Sequence, residues 1–211
     1  LKRLKKNGSK FSYRKVHNKV KKVYEANITV FDALKKSDFD QKGQFYLERY
    51  ISAHAIMIAF EGIPAIYFNS MFGTSNDEAK FVITGNNRDV NRYRWNLKNI
   101  INKLNNNKTK ESIFYQKICY LLNIRRKQKA FHPNATRINI NFGPKVFGFK
   151  RISKDKKQKI TCVTNLSSVA QKIKINKSNQ KIRNLMGSKI QIKNNQFVIL
   201  KPFETLWISN I

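Results

Sequence analysis

Acidic residues are scarce in this 211-residue chain: 12 Asp and Glu stand against 43 Lys and Arg, a formal net charge of +31. Such a balance points first to nucleic acid or an anionic surface. The basic residues are mostly Lys, however, spread over the whole chain beside abundant Asn and Ile. An AT-rich coding sequence yields that mixture without any polyanion. No nucleic-acid motif accompanies the charge, so nucleic acid is not the expected partner.

Cysteine is nearly absent. Cys119 and Cys162 lie far apart and outside any C-x-x-C spacing, which argues against a disulfide framework or a zinc site. The three histidines, His17, His54 and His132, make no metal-ligand pattern. The basic N-terminus has no apolar core of the kind a signal peptide carries. Three triplets match the glycosylation pattern, at Asn27, Asn134 and Asn165, and read as chance in an Asn-rich chain. A cytoplasmic protein with no membrane partner fits these absences. The chain opens on Leu1 rather than Met, so it is expected to be a fragment or a processed product. Its length allows one large or two small domains. There is no internal repeat.

No apolar run is long and clean enough to span a membrane. Tyr50 to Phe68 comes nearest, but His54, Glu61, Gly62 and Pro64 interrupt it. Gly62 suits a helix C-cap and Pro64 the first residue of a strand. The stretch therefore divides into a buried helix, about 44–61, and a continuously apolar strand, about 63–69. Continuous apolarity marks a parallel strand covered on both faces.

The most informative part of the chain comes directly after that strand. Residues 69–92 make a long loop ending in Thr84-Gly85-Asn86-Asn87-Arg88-Asp89-Val90-Asn91-Arg92. A loop of that length in a compact domain is functional or disordered. Phe72, Phe81, Val82 and Ile83 predict that this one folds back on the protein. An apolar strand that feeds a loop dense in Gly, Asn, Asp and Arg is how a late strand of a β/α barrel delivers a sugar-binding loop.

Elsewhere, residues 1–23 read as a basic surface connection and Tyr24 to Leu34 as a short extended segment, with Asp32 capping a turn. Residues 35–43 are polar. Two amphipathic helices come after the loop. Leu97, Ile100, Ile101 and Leu104 define one, with Asn96 as N-cap. Phe114, Ile118, Leu121 and Leu122 define the other, with Thr109 as cap and Glu111 in its first turn. Beyond Pro133 the period changes to two, and short strands alternate with turns at Gly143-Pro144, Ser178-Asn179, Gly187-Ser188 and Asn194-Asn195. This reads as an antiparallel β-domain over 135–211.

Five segments together carry a resemblance: Tyr24 through Leu34, Gly62 through Tyr67, Gly73-Thr74-Ser75-Asn76-Asp77, Thr84 through Arg92, and Ala130-Phe131-His132-Pro133-Asn134-Ala135. They resemble the sucrose phosphorylase group of the α-amylase-type glycoside hydrolase family 13, and within it the glucosylglycerate phosphorylases most. The resemblance runs from about residue 8 to the C-terminus. It implies an α/β fold plus an all-β part: the C-terminal part of a (β/α)8 TIM barrel over 1–134, then a small antiparallel β-domain over 135–211. It implies glucosyl transfer between phosphate and an acceptor hydroxyl with retention, no metal or organic cofactor, and inorganic phosphate as co-substrate. Retention uses two carboxyl groups about 5–5.5 Å apart. In the family these lie on strands before the region that this chain matches, and none of its Asp or Glu residues corresponds to them. The chain is thus expected to be inactive alone.

The resemblance carries over to few residues. Arg92 matches the arginine that hydrogen-bonds the glucosyl unit, where a guanidinium fork can hold two vicinal hydroxyls. A loop salt bridge is its bland alternative. Arg88, Asp89 and Asn91 belong to the same loop motif and shape it. Glu25 falls where sucrose phosphorylases have Gln and glucosylglycerate phosphorylases have Glu, with Tyr24 and Asn27 flanking it; an edge carboxylate in solvent is the alternative. Asp77 reads as a loop cap, His54 as a satisfied core histidine, and Tyr67 as barrel packing. A polyanion-binding protein and a non-catalytic sugar-binding relic remain as alternative functions.

Overall fold

In the computed structural model, residues 1–16, 20–175, 182–193 and 197–210 are described. His17 and the expected turns at Ser178-Asn179 and Asn194-Asn195 lie outside them. In order, the described chain forms α1 (Lys2–Lys6), β1 (Lys10–Val16), β2 (Val20–Asn27), α2 (Val30–Lys35), α3 (Tyr46–Ala59), α4 (Phe68–Met71), α5 (Glu78–Thr84), α6 (Leu97–Asn105) and α7 (Lys110–Arg126). Strands β3 (Thr136–Asn141), β4 (Val146–Ile152), β5 (Lys159–Asn165), β6 (Gln171–Lys174), β7 (Arg183–Asn184), β8 (Gln191–Lys193), β9 (Phe197–Leu200) and β10 (Thr205–Ser209) complete it. A 3-10 turn at Asn87–Asn91 closes the Arg-rich loop. The chain divides into two compact units, residues 1–46 with 66–116, and residues 47–65 with 117–211.

In the first unit, the expected basic connection is an antiparallel hairpin. Strands β1 and β2 pair from Lys10↔Asn27 to Val16↔Val20, with a bulge between Ser12 and Tyr13. Phe11, Tyr13 and Val23 supply β-branched and aromatic side chains in the strands, and the Lys residues between them hid the period. The expected extended stretch after Tyr24 ends at Asn27 and turns into a helix. Thr29 caps α2 by accepting from the Asp32 amide at 3.2 Å, and its hydroxyl donates to Asp32 Oδ2 at 3.3 Å. A Thr side chain that accepts from the N3 amide is a helix-starting N-cap, while the Thr29 amide itself donates to Asn76 Oδ1 at 2.9 Å. Edge-to-face rings fill the unit: Phe31 meets Tyr46 at 6.0 Å and Phe114 at 5.8 Å. The Lys110 ammonium lies 4.0 Å over the Phe31 ring. Asn96 and Thr109 cap α6 and α7 as their positions predict, accepting from Asn99 and Ser112 at 3.2 Å each.

One expectation fails in this region. Residues 63–67 form no strand; the backbone is extended at Tyr67 and runs into α4. Tyr67 is 57% exposed, so it is not packing a core. A strand exists by pairing, and every ladder between the described strands is antiparallel. The apolar run is real, but nothing among the described residues pairs it.

The second unit holds strands β3 to β10 together with residues 47–65 and 117–135. Its sheets have orders β3-β4-β5-β10-β7 and β6-β9-β8. Val146, Val163, Ile173, Val198, Leu200, Leu206 and Ile208 form the core. Every residue of β10 is buried, as befits a strand between two neighbours and covered on both faces. The two-residue β7 had no pattern to read. Helix α3 appears where predicted. Two arginines close its C-terminal end. Arg125 donates to the carbonyls of Ile58, of Phe60 at 3.0 Å and of Gly62 at 2.6 Å. Arg151, fully buried, donates to Ala59 at 2.8 Å, His132 at 2.7 Å and Ala135 at 3.3 Å. The last carbonyls of a helix lack intrahelical donors and carry the negative end of its dipole. Burial lowers the pKa of both guanidinium groups.

Candidate functional site

All five residues singled out from the sequence, Glu25, Asn27, Arg88, Asn91 and Arg92, fall in the first unit. The hairpin brings one pair to the loop and the 3-10 turn brings the rest. Asn86 starts that turn by accepting from the Arg88 amide at 3.1 Å. Asn87 then ties it to the hairpin, donating to Phe11 O at 3.1 Å and Ser12 Oγ at 3.3 Å. Asn87 was not singled out, although the Asn86-Asn87 doublet before Arg88 is the signal that could have found it.

Arg88 and Glu25 meet. Arg88 Nε donates to Glu25 Oε2 at 3.1 Å. The Glu25 carboxylate, with the Tyr24 hydroxyl behind it, raises the Arg88 pKa further. Glu25 is therefore neither a solitary edge carboxylate nor free to take a ligand unchallenged. Asp89 pairs with Lys80 at 3.1 Å, and bonds from Thr84 and Lys80 hold its carboxyl below the usual range.

Arg92 stands apart. Its backbone amide donates to Asp89 O at 3.4 Å, but its exposed guanidinium makes no ion pair or hydrogen bond with a described residue. The salt-bridge alternative thus belongs to Arg88, not to Arg92. Asn91 is half-buried beside it.

Asn27 departs from the expectation of a substrate contact. It is fully buried, and its amide nitrogen donates to Lys10 O at 3.3 Å and Ser12 Oγ at 3.2 Å. Its place is inside the hairpin base, beneath the site. Asp77 is the cap that the sequence suggested, accepting from the Lys80 amide at 3.0 Å. In the other unit, His54 is the buried core histidine, its Nδ1 at 2.9 Å from Tyr50 O. Burial lowers its pKa.

The acids in the motif segments are engaged in structure: Asp32 Oδ2 accepts from the Asn76 amide at 2.6 Å, Asp77 caps α5, and Asp89 pairs with Lys80. Among the described residues no group of three or more His, Cys, Asp and Glu could hold a metal ion. No described helix is long and apolar enough to cross a membrane. A recess of about 370 Å³ in the same unit is lined by Thr74, Ser75, Tyr93, Trp95, Lys110 and Glu111 among others. The Trp95 indole donates to Thr74 Oγ1 at 3.0 Å there. Neither Glu25 nor Arg92 lines it. The site is an open surface holding the Arg88–Glu25 ion pair and the Arg92 guanidinium, which has no hydrogen bond or ion pair among the described residues, and it can donate hydrogen bonds to a polyhydroxylated or anionic ligand but offers no nucleophile.

No protein-family model matches the chain. Over 186 residues, 88% of its length, it is 32% identical to the glucosylglycerate phosphorylase of Escherichia coli strain K12. It spans 32% of that relative's length. Among solved structures, the sucrose 6F-phosphate phosphorylase of Thermoanaerobacter thermosaccharolyticum superposes with a TM-score of 0.61 at 20% identity, over 78% of this chain and 30% of that one. An Anoxybacillus α-amylase superposes with a TM-score of 0.55 at 15% identity, over 78% of this chain and 32% of that one. The chain is homologous in sequence to the glucosylglycerate phosphorylases, as its motifs suggested, and it has the fold of part of an α-amylase-type enzyme.

Proposed function

We propose that this chain is the C-terminal part of a retaining glucosyl-transferring phosphorylase. It would belong to an enzyme that converts a glucoside and inorganic phosphate to glucose 1-phosphate and a free acceptor, the glucoside being glucosylglycerate or sucrose. The observation that carries this reading is the 32% identity to a glucosylglycerate phosphorylase over 88% of the chain. On it, residues 1–134 are the end of the (β/α)8 barrel and 135–211 the C-terminal β-domain. The enzyme would be cytoplasmic and would need no metal or organic cofactor.

The surroundings of the residues support the following roles. Arg92, exposed and unpaired among the described residues, donates to hydroxyls of the glucosyl unit in the donor subsite. Glu25 and Arg88 act as one charged pair on the side where phosphate and acceptor exchange. Asn91 shapes the loop, and Asn27 holds the hairpin that presents Glu25. In a retaining mechanism one carboxylate forms a glucosyl-enzyme intermediate and a second carboxyl group serves as acid and base. Phosphate, in place of water, then attacks the intermediate. Those carboxylates come from barrel strands other than the part this chain supplies, so this chain alone does not turn over.

A chimera tests the proposal. This chain replaces the matched third of the Escherichia coli enzyme, and phosphate-dependent release of glucose 1-phosphate is assayed with glucosylglycerate and with sucrose. Turnover by the chimera, and none by either portion alone, is the expected result. A chimera that melts cooperatively but uses neither glucoside would overturn the assignment. Turnover by this chain alone would place the catalytic carboxylates within it.

A further inference from the structure

Arg92 is held in place by its neighbours in the chain more than by its own bonds. Its amide reaches Asp89 O only at 3.4 Å, longer than an ordinary N–H···O bond. Its side chain makes no ion pair or hydrogen bond with a described residue. The bonds that fix the backbone on either side of it come from one segment, residues 69–77. Before Arg92, the Asp77 amide donates to Val90 O at 2.8 Å, and Val90 is fully buried. After Arg92, the Asn69 side-chain amide donates to Tyr93 O at 2.9 Å. Arg92 is thus the exposed part of a short span pinned at Val90 and again at Tyr93.

The segment that pins it is itself anchored. Asn69 is buried in α4, and its carbonyl accepts from the Thr74 amide at 3.2 Å. Phe72, also buried, stacks on Tyr115 of α7 at 5.8 Å. The Val90 tether joins backbone to backbone, so most side chains at residue 77 would allow it. The Tyr93 tether needs a side chain with an N–H at residue 69. The other end of that amide, Asn69 Oδ1, is buried with no hydrogen-bond partner among the described residues. A buried polar atom in that state opposes folding. Packing alone would favour an apolar side chain there, and the bond to Tyr93 accounts for the amide.

We propose that Asn69 is a positioning residue for Arg92, holding the loop at Tyr93 so that the guanidinium meets the glucosyl unit. The inference rests on the reading of Arg92 as the donor-subsite arginine. An arginine side chain is long, so a small turn of the backbone carries its guanidinium further than its Cα. A misplacement of about 1 Å in a binding group can cost about a hundredfold in turnover.

The test uses Asn69→Leu, which removes the donor and keeps most of the volume, with Asn69→Ala beside it in case Leu disturbs the packing. In the 211-residue chain, hydrogen exchange should quicken in peptides covering residues 88–95 and stay at the parent's rate in peptides covering β4 and β5. In the Escherichia coli chimera, N69L should lower kcat/KM about tenfold with glucosylglycerate and sucrose alike, within the range that misplacement of a binding group produces. On top of Arg92→Ala, N69L should cost less than about twofold more, because the two changes act through one group. Equal penalties with and without Arg92 would give Asn69 a role in stability alone and overturn the proposal. Unchanged exchange at 88–95 in both variants would also overturn it. An active chimera indifferent to Arg92→Ala would remove Arg92 from the donor subsite, and this inference with it. A chimera inactive with Asn69 in place counts against the phosphorylase reading instead, and the exchange rates then decide the tether by themselves.

Discussion

The Arg88 guanidinium donates to the Glu25 carboxylate at 3.1 Å across 63 residues of chain. Together with the Asn87 bonds to Phe11 and Ser12, that contact joins the hairpin to the Arg-rich loop, so two segments that resemble the same enzymes separately are also one piece of surface. It alters what a substitution at Glu25 would do. Gln at this position can still accept a bond from Arg88, but it surrenders the charge and can also donate.

In the chimera, Glu25→Gln should therefore act on both members of the pair and shift acceptor choice. The ratio of kcat/KM for glucosylglycerate over sucrose, measured at one phosphate concentration for parent and variant, should move by more than about twofold, an effect above roughly 0.5 kcal/mol. Hydrolysis of the donor should move less. A ratio that stays within that limit would remove Glu25 from the acceptor side.

Arg92→Ala in the chimera should damage turnover with every glucoside alike, because the glucosyl unit is common to all of them. A lost charge-assisted hydrogen bond costs about 1.5–3 kcal/mol. That corresponds to a fall of roughly tenfold to a hundredfold in kcat/KM. Since Arg92 makes no ion pair or hydrogen bond with a described side chain, the variant should melt within a degree or two of the parent. A large loss of stability without a loss of kcat/KM would assign Arg92 to structure.

Gly73 has φ +58°, and a Cβ placed on it would run into the Phe114 ring. Gly73→Ala should destabilise the chain by about 2 kcal/mol or more, from the left-handed backbone and the overpacked ring together. Urea unfolding measures it. The double variant G73A/F114L should recover part of the loss by making room.

The pH dependence of stability contains a share from His54. Burial lowers its pKa below the ordinary value. The unfolded chain then takes up the proton before the folded one does. The contribution of neutral His54 is complete above about pH 6.5, the ordinary histidine value, and is lost as the pH falls below it. His54→Gln should flatten the change in unfolding free energy between pH 7.5 and 5.5. An unchanged slope would mean that other groups carry it.

Arg151→Met should cost about 3 kcal/mol, since the carbonyls of Ala59, His132 and Ala135 lose a buried charged donor. A lower urea midpoint with an unchanged slope is the expected signature.

Helices α3, α6 and α7 and the strands beyond Pro133 were legible in the sequence because their signals are local, whereas α2, α4 and α5 fall in stretches that read as an extended segment and a loop. Asn96, Thr109 and Glu111 sit where caps and dipoles need them. The buried helix announced itself by apolar residues nearly all round. The β1–β2 hairpin was missed because cations fill positions where polarity normally means solvent, and only the pairing partner shows them to be strand residues. Residues 63–67 were overcalled for the opposite reason. Their apolarity is that of a paired strand, and no sequence pattern says whether the partner is in the same chain. At the site, residue types were legible but pairings were not. Arg88 and Arg92 lie in one motif, and only the fold shows that the first is tied to Glu25 while the second is unengaged among the described residues.

The two arginines at the end of α3 have a consequence for synthesis. Arg125 reaches back 67 residues to Ile58 and Arg151 reaches back 92 to Ala59. Chains are made from the N-terminus at about 5–20 residues per second, so α3 leaves the ribosome several seconds before its terminal carbonyls have their donors. Until α7 supplies Arg125, that helix end has only water to satisfy it, and the Ala59 carbonyl waits further for Arg151 of β4. A nascent chain stalled before residue 125 would carry an apolar helix with an open end, the form a chaperone or a protease would meet first.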